Sequence, residues 1–340
     1  MKYITFTVPC YNSESYMSRC IKSLLVCKDE VEIVIIDDGS TDRTGAIANE
    51  YAVKYPASVK VIHKRNGGHG SGVNAGLKAA SGKYFKVVDS DDWLDPECLK
   101  KVLKQMKAWE KSGTEVDMVV CNYVYDHLYE GRQKTMRFCN VFESGKVQTW
   151  EETGVFHPSQ YLIMHSLIYR TDILRSSGVC LPEHMFYVDN IFANQPLPFV
   201  STIGYLNLDL YHYFLGREDQ SVNETVLKSR IDQQIYVTKT IAQCLDLEEI
   251  RRQHPKLADY LVKNISVMMA ISSIHLLLIN SREALDKRTE LWDYIRKCDS
   301  GLYKTLRYRQ LSGLTNLPGK AGDYLTMAGY RMARRIYDFN

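Results

Sequence analysis

The sequence predicts an α/β fold, a mostly parallel central sheet flanked by helices, followed by an all-helical C-terminal region. Three observations predict it. Short β-rich runs alternate with helically spaced segments through the first hundred or so residues. Polar clusters at 9–14, 37–42 and 89–95 each stand at the end of one of those runs, and open α/β sheets bind ligands beyond the carboxyl ends of their strands. From about residue 228 the pattern is helical throughout, with neither a glycine-rich loop nor an acid cluster.

The elements follow in order. Residues 3–9, YITFTVP, read as a strand with a proline stop. Tyr16, Met17, Cys20, Ile21, Leu24 and Leu25 give helical spacing over 14–27. Val31–Ile36 is a buried-type strand, TGAIANEYAVKY a helix and VKVIHK a third strand. NGGHGSGVNAG places five glycines in eleven residues, and VNAGLKAASG reads as a helix ending at Gly82. KYFKVVD is the fourth strand; a helix over 95–109 follows, with Asp95 as its cap and Pro96 in its first turn. VDMVVCNYVYD and KTMRFCNV read as further strands, and 150–215 is aromatic-rich and irregular, which suits a substrate-facing wall. The tail divides into helices over 228–247, 248–280, 283–298, 303–310 and 321–337.

Bulk properties exclude several classes. A net charge of +3 over 340 residues is too small to imply nucleic acid. The longest apolar stretch, 265–280, is shorter than a membrane span and holds Ser272, Ser273 and His275. The N-terminus turns polar too early for a secretory signal. Nine cysteines without CxxC pairs fit reduced thiols in a cytoplasmic protein rather than zinc ligands.

Asp89, Asp91, Asp92 and Asp95 crowd the end of the fourth strand. Like charges so close repel, and burying them is costly. A hard divalent cation bound through oxygen cancels that repulsion; Mn2+ or Mg2+ needs only one or two carboxylates when substrate phosphates complete its shell. Asp89 and Asp91 are two apart, so an extended strand end aims both the same way. The bland alternative is a solvated turn before a helix, which accounts well for Asp95.

The ordered set TVPCYNSES, VEIVIIDDGSTDRT, NGGHGSGVNAGLKAASG and YFKVVDSDDWLDP closely resembles family 2 glycosyltransferases, densely over 3–100 and thinly to about 225. The resemblance implies a GT-A fold, Rossmann-like, and inverting transfer of a sugar from a nucleotide-diphosphate donor, a UDP-sugar by preference. It divides the chain into a donor-binding half at 1–110, an acceptor-binding half at 111–226 and a helical region at 227–340. It assigns Val8, Pro9 and Tyr11 to the base, with Glu14 nearby; Asp37 and Asp38 to base reading; Asn66, Gly68, Asn74 and Ser90 to the donor; Asp89 to the ribose and Asp91 to the metal, with Asp89 as a second ligand. Asp42 serves either there or as a turn cap. Many family members have Ala-Arg-Asn where this chain has Gly72-Val73-Asn74; His69, Lys64 or the glycine-rich backbone could replace the missing cation.

MFYVDNIF resembles the family's base motif, with Val188 where a Glu is usual, leaving Asp189 as the base that deprotonates the acceptor hydroxyl. Asn190 would support it, and Glu183 is a rival. YHYFLGREDQSVN resembles the late donor segment: Arg217 and Ser221 on phosphate, His212 as a further metal ligand. Trp93 and Asp92 would face the acceptor, with Trp93 as plain packing the equal alternative. The acceptor is expected to be a saccharide or lipid-linked, in cell-surface polysaccharide or glycolipid synthesis. The basic, amphipathic 318–340 segment either lies on the inner face of an anionic membrane or packs on its own domain, and a homo-oligomer stays open. Other readings are a degenerate nucleotide-sugar-binding scaffold and a nucleotidyltransferase, which would need a basic glycine-rich loop near the N-terminus that VPCYNSES does not supply. No GxGxxG follows the first strand, which disfavours a dehydrogenase.

Overall fold

A computed structural model describes residues 2–127, 130–216 and 224–337, with side chains described as far as Met332 in the last helix. The chain forms two compact units, one running to Gly216 and one beyond it. The first holds ten strands: β1 Ile4–Cys10, β2 Val31–Asp37, β3 Val59–His63, β4 Tyr84–Val87, β5 Trp93–Leu94, β6 Met118–His127, β7 Arg132–Met136, β8 Val147–Gln148, β9 Leu167–Arg170 and β10 Ile203–Phe214. Its helices are α1 Met17–Leu24, α2 Thr44–Lys54, α3 His69–Ala79, α4 Pro96–Lys111, α5 Thr171–Ser176 and α6 Asp189–Asn194.

The strands form one sheet in the order β3-β2-β1-β4-β9-β6-β10-β5, with β7 on β6 and β8 on β10. β3, β2, β1 and β4 are parallel. Beyond them the sheet is mixed: β9 runs antiparallel to both β4 and β6, β10 is parallel to β6, and β5, β7 and β8 pair antiparallel. The expectation of a mostly parallel sheet therefore holds only for its first half. A parallel pair needs a crossover, usually a helix; after α4 the α-helices among the described residues of this unit are α5 and α6, of six residues each, so the chain returns largely by antiparallel pairing. β1 and β2 are buried along their whole length, which explains why they read as unbroken apolar runs rather than alternating ones. Asp95 caps α4 by accepting from Cys98 N at 2.7 Å, and Pro96 opens it, as the sequence suggests. The helix expected over 14–27 is shorter: α1 starts at Met17 and passes into a 3-10 turn at Leu25–Cys27.

The second unit comprises α7 Glu224–Ser229, α8 Ile231–Cys244, α9 Leu247–Gln253, α10 Pro255–Ile279, α11 Arg282–Cys298, α12 Ser300–Tyr308, α13 Leu311–Leu314 and α14 Gly319–Tyr337. The single helix expected over 248–280 is two: Asp246 caps α9 by accepting from Glu249 N, and Pro255 opens α10 at a first-turn position where its missing N–H costs nothing. α10 is the hub. Leu257, Leu261, Ile265, Met269 and Leu276 on it are fully buried. At 25 residues it is long and apolar enough to cross a membrane by length and composition, longer than the sequence reading allowed; 67% of its most apolar stretch is buried inside the protein. All nine cysteines are free.

Candidate active site

Because β1, β2 and β4 are parallel and in register, with Cys10 beside Asp37 and Thr7 beside Val87, the loops after them open at one edge of the sheet. Hydrogen bonds knit these loops together. Ser13 and Ser90 hydroxyls meet at 2.8 Å, Asp38 N donates to Cys10 O, and Thr41 N donates to Asn12 Oδ1. Glu14 accepts from Arg43 N, while Asp42 accepts from the N–H groups of Glu14 and Thr44, a turn-capping use. Of the three residues expected to line a base, Tyr11 is exposed, at 54%, but Val8 and Pro9 are buried within β1 and offer no surface to a ligand.

The two acids after β2 are held differently. Asp37 accepts from Ser40 N at 3.0 Å and pairs with His63 Nδ1 at 2.8 Å. Burial would raise its carboxyl, but these partners prevail and hold it below the usual range. Asp38 is buried and accepts from Lys64 Nζ at 2.6 Å and from Gly67 N and Gly68 N, while Asn66 Nδ2 donates to its carbonyl. Lys64 and two glycine N–H groups, suggested as stand-ins for a missing phosphate-binding arginine, are thus committed to Asp38. Gly68 has φ +81°, which favours glycine. The glycines inside α3 serve packing: a Cβ on Gly76 would lie 1.8 Å from Thr7 Oγ1, so only glycine lets α3 seat on β1. Asn74 binds Leu181 through both amide ends, donating to O at 2.8 Å and accepting from N at 2.9 Å. It fixes the loop before α6 and does not present its amide to a donor, which corrects the expected role.

The acids after β4 form the centre. Asp89 is clasped by two imidazoles: Oδ1 lies 2.8 Å from His69 Nε2 and Oδ2 3.2 Å from His165 Nε2. Burial opposes ionisation of Asp89, but the charge and hydrogen bonds of His69 and His165 hold its carboxyl far below the ordinary range; Asp89 in turn raises His69 against the effect of burial. Asp92 is fully buried. Its Oδ2 accepts from Tyr211 Oη at 2.5 Å and its Oδ1 from Phe214 N at 2.8 Å. Burial first, then the charges of Asp91 and Asp89, push its carboxyl well up. Asp92 latches the β4 loop to β10; a contact with an acceptor sugar is closed to it, and that expectation is corrected. Lys86, buried in β4, donates to His165 O at 2.6 Å and Leu167 O at 3.2 Å, and burial lowers its pKa to about 7.

Asp91 and Ser90 are half-buried at the rim, and Arg19 Nη2 donates to Asp91 O at 2.9 Å. Arg19 also covers the Trp93 ring at 3.8 Å, and His212 stacks on the same ring with centroids 5.0 Å apart. Trp93 thus has two ring partners and remains half-buried. His212 turns its Nδ1 to Asp126 Oδ2 at 3.1 Å, and the histidine grouped with Asp89 is His165 instead.

Asp189 is the first residue of α6, half-buried, where the helix dipole favours an anion. The helix cap is Val188, without a side-chain bond, so capping does not explain Asp189. Burial raises its carboxyl; the charges of His165 and His69 lower it and that of Asp89 raises it further, which places all four groups within electrostatic reach. Asn190 Nδ2 donates to Asp189 Oδ1 at 3.3 Å and to Tyr187 O. Tyr187 and His184, just upstream, have φ of +65° and +50°, unusual for side chains of this size and frequent at functional sites. Glu183 accepts from Ser71 Oγ at 2.7 Å. Arg217 and Ser221 lie outside the described residues.

Asp89 and His165 are the groups here with capacity toward a cation, since both Asp92 oxygens are spent on Tyr211 and Phe214 N. Ligand atoms of Asp89, Asp92 and His165 lie within 4.8 Å of one another, and His165 Nδ1 is buried without a hydrogen-bond partner. The surplus of negative charge that raises Asp92 also raises the Tyr211 and Tyr213 hydroxyls, after burial; a bound cation would relieve it. Sequence reasoning missed His165, Tyr211 and Lys86. Only Lys86 carried a signal, a lysine inside an otherwise apolar strand.

Comparison with known proteins adds identity to this geometry. The family model "Glycosyl transferase family 2" matches residues 5–171. EpsJ of Bacillus subtilis (strain 168), an uncharacterized glycosyltransferase, is 37% identical over 243 residues, 68% of this chain and 66% of its own. EpsH of the same organism, named as a glycosyltransferase, is 29% identical over 283 residues, 78% of this chain and 76% of its own. The solved structure of Staphylococcus aureus TarS 1-349 in complex with UDP-GlcNAc superposes with TM-score 0.68 at 22% identity, covering 98% of this chain and 92% of that one. A sheet edge bearing DSD and the fold shared with TarS agree with the sequence match: the chain belongs to glycosyl transferase family 2, with the GT-A fold.

Proposed function

We propose that this glycosyltransferase works by inversion, moving a sugar from a UDP-sugar to a saccharide or lipid-linked acceptor of the cell surface. The observation that carries the reading is the convergence of Asp89, His69, His165 and Asp189 at the carboxyl edge of the sheet. TarS, named a poly(ribitol-phosphate) beta-N-acetylglucosaminyltransferase and solved with UDP-GlcNAc, supports the choice of donor and of a wall-polymer type of acceptor. In this reading the half at 1–110 holds the donor and the half at 111–226 the acceptor.

Asp91 and Asp89 would hold Mn2+ or Mg2+, and that ion, when bound, supplies charge stabilisation to the departing diphosphate. The rest falls to the chain. Asp189 accepts the proton of the acceptor hydroxyl as its oxygen bonds the anomeric carbon and the bond to diphosphate breaks. Its raised carboxyl makes it a better base than an exposed aspartate, and Asn190 orients it. His69 and His165 fix Asp89, and His69, raised toward its charged form by Asp89, supplies positive charge where diphosphate charge develops, a substitute for the arginine replaced by Val73. Tyr11 offers the exposed ring for the base, with Asp37 at its edge.

A thermal-shift screen of nucleotide sugars, with and without Mn2+, identifies the donor, because a ligand selective for the folded state raises its stability. Slow Mn2+-dependent release of UDP from that donor supports the enzyme. No release with any donor supports the scaffold reading that Val188 and Val73 keep open.

A further inference from the structure

We infer that α13 and α14 form a docking face for the surface of an anionic lipid bilayer. The observation is an inversion of inside and outside. α14 turns Gly322, Asp323, Thr326 and Tyr330 toward its own unit, whereas Tyr324, Leu325 and Met332 face solvent at 72%, 60% and 65% exposure. α13 repeats the pattern: Ser312 and Gly313 are buried, and Leu311 and Leu314 are 57% and 61% exposed.

The inversion is built in. Ser312 takes part in a buried hydroxyl pair with Ser266 Oγ at 3.0 Å and donates to Leu306 O. A Cβ on Gly313 would lie 2.1 Å from Arg307 O, so this side of α13 has no room for a large residue. Asp323 pairs with Arg288 Nη1 at 2.8 Å, and Thr326 Oγ1 donates to Leu314 O at 3.0 Å. These inward bonds fix the rotation of both helices. The Thr326–Leu314 bond also ties the end of α13 to α14, so that the exposed residues of both helices belong to joined elements. An apolar surface of this kind on a folded chain marks an interaction site.

Charge selects the occupant. Residues 303–337 contain seven basic residues and one acid, Asp323, which faces inward. Lys320 and Arg331, three turns apart on α14 and both exposed, border the apolar strip. Apolar and tyrosine side chains rimmed by lysine and arginine match an interface of acyl chains and anionic headgroups. Two copies of this face would oppose like charges, which disfavours self-association. The inference stands on the second unit alone and does not depend on the proposed chemistry.

The test is co-sedimentation of the full chain with vesicles of phosphatidylglycerol and phosphatidylcholine against vesicles of phosphatidylcholine alone. Wild type should bind only the anionic vesicles, and less at high salt. The double variants Leu311→Ser/Leu325→Ser and Lys320→Glu/Arg331→Glu should each bind about tenfold more weakly. All four positions are exposed, so both variants should keep the wild-type circular-dichroism melt. No vesicle binding, equal binding to both vesicle types, undiminished binding by the variants, or a sedimenting dimer that the leucine substitutions dissociate would each overturn the inference.

Discussion

In the unit that ends at Gly216, Lys86 and Asp92 are charged-type side chains buried to within 1% of complete; in the other unit, Leu311, Leu314, Tyr324, Leu325 and Met332 stand in solvent. Each departs from the usual rule of apolar inside and charged outside. The inward charges have partners within the chain: two carbonyls for Lys86, Tyr211 and Phe214 N for Asp92. The outward leucines, by contrast, sit on helices whose other side is already satisfied by Ser312, Asp323 and Thr326. Local conflict between sequence and environment gathers at functional places. Here the difference separates a site whose framework is complete within the fold from a surface that an outside phase completes.

The largest expected effect tests the inward side. Asp189→Asn should lower sugar transfer by about 10²–10⁴-fold, the usual worth of a positioned base, with UDP affinity unchanged by calorimetry. The pH profile sharpens it. Burial raises the Asp189 carboxyl, and a base works only when deprotonated, so wild-type transfer should fall on acidification at a higher pH than an ordinary aspartate dictates. That limb should vanish in the residual activity of Asp189→Asn.

Next comes Lys86→Ala. It removes a buried amino group and strands two carbonyls, at a cost of about 1–3 kcal/mol per carbonyl in urea unfolding. Tyr211→Phe should cost less, about 1–3 kcal/mol, the penalty for leaving one buried carboxyl oxygen of Asp92 without its partner. The smallest effect lies on the outward side. Leu325→Ser should change the stability of the isolated chain by no more than about 0.5 kcal/mol; a loss near that of a core leucine, about 2–5 kcal/mol, would mean that the face is packed after all and would erase the contrast.

How much of this could be read from the sequence follows from the range of the interactions. β1 to β4 and the loops after them were legible because parallel, doubly buried strands write themselves as apolar runs ending in polar clusters. Asp95 and Pro96 announced α4 for the same local reason. The mixed second half was not, since antiparallel returns such as β9 depend on pairings with no local signature. The clasp on Asp89 joins it to residues 20 and 76 positions away, and the Asp92 latch spans 119; nothing in DSDDW distinguishes the half-buried acid at the rim from the one that locks the fold. Nor could helical spacing on 318–340 say which face turns inward. Buried Thr326 and half-buried Asp323 decide that, through partners in other helices.

The most direct test of the carboxylate edge is calorimetric titration of UDP into wild type and Asp91→Asn, each with Mn2+ and with a chelator in its place. Wild type should bind UDP at least about tenfold more tightly with Mn2+, a difference of about 1.4 kcal/mol, and Asp91→Asn should bind it equally with and without the ion. Equal affinity in wild type under both conditions, or a full Mn2+ effect retained by Asp91→Asn, would contradict a donor site built on that acid.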